Sequence, residues 1–120
     1  MVGRMADSLP PNHVQANRPT VLDPRVLELC LQTAGLWELT VHSRLGLPRH
    51  IDPIKFWRTQ TEPGAALYAV VTPDERHGAF NVEVIDASGD FYCEVLGYRT
   101  VTFMEGVDAS PLKWLQAVAA

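Results

Sequence analysis

Three polar side chains, Arg25, Glu28 and Gln32, interrupt a run that is otherwise mostly apolar, R-V-L-E-L-C-L-Q-T-A-G-L-W-E-L-T-V at residues 25–41. If the run is helical, their i, i+3, i+7 spacing puts them on one stripe, with Glu28 and Gln32 one turn apart. Two readings fit. A carboxylate buried among Leu, Val and Cys is costly unless it is paired or protonated. A carboxyl group in such a setting is pushed toward its protonated form and can serve as a general acid near neutral pH. The Gln32 amide would then fix the rotamer of that acid or bind a substrate hydroxyl. In the other reading Glu28 pairs with Arg25 at a solvated edge and catalyses nothing, and such pairs are common on helices. The residues alone leave both open.

Other chemistry-bearing side chains have weaker contexts. Cys30 in E-L-C-L-Q and Cys93 in F-Y-C-E-V read as small buried thiols in a reducing compartment. Two isolated cysteines make neither a disulfide framework nor a zinc site, and no metal site is expected. His42 falls at the end of the helical run, where a histidine suits the negative end of the dipole. His13, His50 and His77 have no partner at a readable spacing. The segments T-E-P-G-A-A and A-S-G-D-F lack phosphate-loop spacing, and Asp86 with Asp90 are too few carboxylates for a calcium loop. Trp37, Trp57 and Trp114 have no interleaved basic residues and are expected as core and docking anchors.

The elements that must position Glu28 and Gln32 follow from the pattern. Residues 1–20, with Pro10, Pro11 and Pro19, read as an extended leader or interdomain linker, with a short extra strand around 13–21. Asp23 followed by Pro24 is a helix start, because the carboxylate caps free amides and proline suits the first turn. The helix that follows is apolar on most sides, as a buried helix is, and Gly46 and Pro48 are expected to close the segment. Strands are expected over residues 51–60, 65–72, 78–87 and 91–103, with Pro53 at an edge or strand start and Gly97 at a bulge. Ser110 and Pro111 open a tail, 107–120, that reads as a short docking helix. The resulting body, residues 21–106, is one buried helix followed by an antiparallel meander of four strands. A sheet wrapped around a single helix satisfies that pattern.

The stretch V-L-D-P-R-V-L-E-L-C-L-Q-T-A-G-L-W-E-L resembles the helix of the C-terminal hot dog in polyketide synthase dehydratase domains, which carries D-x-x-x-Q or D-x-x-x-H. Here the motif is Glu28-x-x-x-Gln32. Downstream, G-L-P-R-H-I at 46–51 resembles the L-P-x-x-I segment near the family's acyl channel. V-E-V-I-D-A-S-G-D-F-Y-C-E-V-L-G-Y-R-T-V-T-F resembles the closing hairpin, where a D-x-x-G turn precedes a strand with G-Y-R. The resemblance spans roughly residues 20–104. It implies an α+β hot-dog fold and the elimination of water from a 3-hydroxyacyl thioester. It gives Glu28 the acid role, with its carboxyl expected to be sequestered in the apolar helix, and Gln32 the orienting role. Leu47, Pro48 and Ile51 would line the acyl channel, with Tyr98 near the site. The family's base is a histidine in H-x-x-x-G-x-x-x-x-P of the first hot dog. His42 to Gly46 imitates its first part, but Ile51 stands in the place of the proline.

The resemblance therefore implies a partner, either a homodimer mate or the N-terminal hot dog of the same synthase, to supply that histidine. A lone curved sheet also leaves an open strand edge that invites pairing. No bound cofactor is implied, since the substrate rides on the phosphopantetheine of an acyl carrier protein, in polyketide or fatty-acid-like synthesis. Two further functions keep the same fold: a hot-dog acyl-thioester hydrolase using the helix carboxylate as base or nucleophile, and a non-catalytic hot dog completing an interface. The balance of charge excludes other classes. The 120 residues fit one domain, and ten Lys and Arg are scattered against fourteen Asp and Glu. There is no basic stripe for nucleic acid and no polybasic run for a membrane surface. No apolar stretch near the start has signal-peptide length, so a cytoplasmic location is expected.

Overall fold

The computed structural model describes residues 1–7, 20–59, 61–62 and 64–115. Its one long helix, α1 (Pro24–His42), begins as the sequence dictates: the Asp23 carboxylate accepts the Arg25 backbone N–H at 3.0 Å, with Pro24 in the first turn. A second Asp23 oxygen accepts the Thr61 hydroxyl, tying the cap to the loop before the central strands. The helix ends at Ser43, which adopts the left-handed conformation (φ 52°) and returns its N–H to the Leu39 carbonyl. Gly46 and Pro48, expected to close the segment, instead lie inside a strand.

Five strands besides the short β1 (Val2–Arg4) make one sheet: β2 (Arg44–His50), β3 (Ile54–Phe56), β4 (Leu67–Asp74), β5 (Ala79–Asp86) and β6 (Phe91–Glu105). All pairings are antiparallel, in the order β1-β4-β5-β6-β2, with β3 also on β6. The meander β4-β5-β6 matches the alternating segments of the sequence. Its inward residues Leu67, Ala69, Val71, Val82, Val84, Cys93 and Val95 are at most 2% exposed and meet the helix face carrying Val26, Cys30, Ala34 and Trp37. Gly97 does mark a bulge. Between Val95 and Tyr98 strand β6 spends one more residue than β5 does between Phe80 and Val82, and the freed Gly97 N–H is taken by the Asn81 side chain.

Several expectations need correction. The leader is not wholly outside the body, because Val2–Arg4 pairs with Tyr68–Val70 of β4. Gly3 is required there, since a Cβ would come within 2.1 Å of the Thr33 hydroxyl on the helix. The extra strand proposed around 13–21 falls mostly outside the described residues. The segment expected as a strand over 51–60 is regular only at Ile54–Phe56. The tail forms a 3₁₀ turn at Ser110–Leu112, with the final five residues outside the described set. Of the three tryptophans Trp37 is core, while Trp57 and Trp114 are exposed. The helix, finally, is buried on one face only. Cys30, Ala34 and Glu38 form its inner row, and Glu28, Gln32 and Leu36 form a row two residues out of step, about 200° round the axis, that the sheet does not reach.

Candidate functional site

Along that uncovered side of α1 runs a groove of about 390 Å³ between the helix and the β2–β6 wall. Glu28 and Gln32 stand on its helical side, and the Gln32 amide donates to Glu28 Oε1 at 2.6 Å. Gly35, Leu36 and Leu39 continue the same side, and Leu45, Gly46, Pro48 and Tyr98 form the opposite one. The arrangement is an acid and an amide in an apolar trough. It can hold an aliphatic chain by burial and orient a hydroxyl near the carboxyl group. Contrary to expectation, Glu28 is exposed in the single chain, because it belongs to the outer row of the helix.

Of the residues singled out in the sequence, Glu28, Gln32, Pro48 and Tyr98 come together in this groove. Leu47 and Ile51 do not line it. A register irregularity between Leu45 and Gly46 interrupts the alternation of β2, so that Gly46 and Pro48 line the groove and Leu47 between them lies on the other face, 46% exposed, while Ile51 packs against the core. Tyr98 is buried, and its acidity is suppressed to a pKa of about 12, first by burial and then by the negative charges of Glu38 and Glu28. Its hydroxyl therefore stays a hydrogen-bond donor across the neutral range.

Glu38 is the residue that sequence reading passed over. It is 0% exposed, and its Oε1 accepts from Arg44 Nε at 2.8 Å, from Arg44 Nη2, and from the Thr100 hydroxyl at 2.8 Å. Oε2 is buried with no hydrogen-bond partner. A signal was present: Glu38 continues the four-residue spacing of Cys30 and Ala34, the most apolar row of the helix. Among the described residues no cluster of three or more His, Cys, Asp or Glu could hold a metal ion. No described helix is long and apolar enough to cross a membrane.

The family model described as polyketide synthase dehydratase N-terminal domain matches residues 1–110. The chain belongs to this dehydratase family. That description speaks of an N-terminal domain, whereas the E-x-x-x-Q helix and the G-Y-R strand resemble the C-terminal hot dog of such enzymes; the match shows the family. Among solved structures, the dehydratase domain from the CurK module of curacin polyketide synthase is similar at a TM-score of 0.57 and 23% identity, over 70% of this chain and 30% of that one. Two inactive mutants of CurK dehydratase, one of a histidine and one of an aspartate, each align at a TM-score of 0.63 and 22% identity. Those alignments cover 86% of this chain and 36% of theirs. The chain thus spans about a third of the length of these dehydratases, and shares with them the curled antiparallel sheet over a helix that defines the hot-dog fold. No curated protein matches the chain significantly.

Proposed function

We propose that this dehydratase-family chain supplies the acid half of a site that removes water from a 3-hydroxyacyl thioester carried on the phosphopantetheine of an acyl carrier protein. The observation that carries the reading is the Glu28–Gln32 pair at the edge of an apolar groove. In the reaction a histidine from a second hot dog takes the α-proton, the electron pair forms the Cα–Cβ double bond, and the C–O bond breaks. Glu28 delivers its proton to the departing hydroxyl, so that water leaves and an enoyl thioester remains. Gln32 orients the carboxyl group, Pro48 shapes the channel, and the Tyr98 hydroxyl donates to a substrate oxygen. The loss of activity recorded for a histidine and for an aspartate mutant of the similar CurK enzyme supports a two-residue site of this kind.

The second hot dog is either the other half of the same synthase or another copy of this chain. Exposed Leu36, Leu45, Leu47, Val101 and Phe103 around the groove and along the β2–β6 ribbon support such a cover. The expected compartment is the cytoplasm. The exposure of Glu28 is also what a non-catalytic hot dog would display, and product analysis separates the readings. A 3-hydroxyacyl thioester of an acyl carrier protein is incubated with the chain paired to a histidine-bearing hot dog. Formation of enoyl thioester that stops in Glu28→Gln supports the proposal. Release of free thiol points to a hydrolase, and no product from the folded pair points to an interface role.

A further inference from the structure

Glu38 is the one charged side chain fully buried among the described residues. An apolar side chain of its size would serve stability as well or better, since a buried ion pair recovers little beyond its desolvation. Its contacts have a common destination. Arg44 opens β2, Gly46 lines the groove, and Thr100 stands two residues from Tyr98 on the same face of β6. The free Oε2 lies 2.2 Å from where a Cβ on Gly46 would sit, so the carboxylate presses against the back of the groove wall. We propose that Glu38 is a positioning residue for the groove: from behind the wall it ties β2 and β6 to the helix and holds the Tyr98 hydroxyl toward Glu28.

The catalytic consequence rests on the dehydratase reading; the positioning itself does not. Two carboxylates of the helix, Glu38 and Glu28, act on Tyr98. Arg44 of β2 is engaged by Glu38, and β5 brings the uncharged ring of Phe80, 6.1 Å from that of Tyr98. Withdrawing the charge of Glu38 therefore alters the electrostatic surroundings of Tyr98, and loosening its tie to Thr100 acts on the strand that carries Tyr98.

The test labels the full chain with 3-fluorotyrosine, whose ring ionises at lower pH than that of tyrosine, and reads fluorine NMR. Tyr68, Tyr92 and Tyr98 give three resonances, the last identified by its loss in Tyr98→Phe. Glu38→Gln is expected to displace the Tyr98 resonance and lower its ionisation midpoint, leaving Tyr68 and Tyr92 in place. A folded variant with an unmoved Tyr98 overturns the proposal. If Glu38→Gln unfolds the chain and all three resonances merge, Thr100→Val decides, because it preserves charge and shape and removes one tie. It should displace the Tyr98 resonance alone, and an unchanged one overturns the proposal. In the assembled enzyme Glu38→Gln should lower kcat by about tenfold or more with KM nearly unchanged. An altered Tyr98 resonance beside an assembled wild-type enzyme that forms no enoyl thioester would reject the dehydratase reading and leave the positioning standing.

Discussion

Gly35→Ala separates what the helix favours at this position from what the groove requires. Gly35 lies in the middle of α1 with an ordinary backbone, and a Cβ there would meet nothing within 4 Å. Inside a helix, alanine is favoured over glycine by about 0.8–1.0 kcal/mol. For a chain of 120 residues the unfolding entropy is about 0.25 kcal/mol per kelvin, so the substitution should raise Tm by about 3–4 °C. The same methyl group would project into the groove, where Gly35 stands between Gln32 and Leu39. One methyl group of misfit there should raise KM for a long-chain 3-hydroxyacyl thioester by about tenfold. Calorimetry gives the first quantity and steady-state dehydration by the assembled enzyme gives the second. A fall in Tm would refute the packing argument. A higher Tm with unchanged KM would refute the placement of the acyl chain in this groove.

The other predictions concern the core and the acid limb of stability. Leu67 is 0% exposed at the start of β4, so Leu67→Ala should cost about 2–5 kcal/mol, read as a lower midpoint in urea unfolding with unchanged slope. Asp52 is held below its ordinary value of 3.8, mainly by its hydrogen bond from His50 and then by the charges of His50 and Arg99. A lowered folded pKa contributes stability that is complete above 3.8 and lost as the pH falls through the folded value. Asp52→Asn should therefore flatten the decline of Tm below pH 4, and a decline as steep as in the wild type would contradict the pairing.

Much of the fold was legible because its signals were local. Asp23-Pro24 announced a helix start with a cap, Gly97 a bulge, and Asp86 to Asp90 a turn, where the Asp86 carboxylate does accept the Ser88 and Asp90 backbone amides. What escaped depends on contacts distant in sequence. Val2–Arg4 is a strand only because β4 lies beside it. Pro48 read as a breaker, yet it sits at a register irregularity of β2, a strand at the edge of the sheet where a missing N–H costs little. The candidate site was half legible. Spacing found the Glu28–Gln32 pair and the resemblance found Pro48 and Tyr98, but burial was assigned to the wrong acid. Periodicity puts Glu38, not Glu28, in the row of Cys30 and Ala34, and its partners Arg44 and Thr100 come from β2 and β6.

The central claim is that Glu28 delivers the proton that lets water leave. Its most direct test is kcat of Glu28→Gln against wild type, in an enzyme holding both hot dogs and a carrier-bound 3-hydroxyacyl substrate, with circular dichroism to establish an intact fold. Loss of the general acid should lower kcat by about 10²–10⁴. Turnover within a factor of about two of wild type would contradict the assignment.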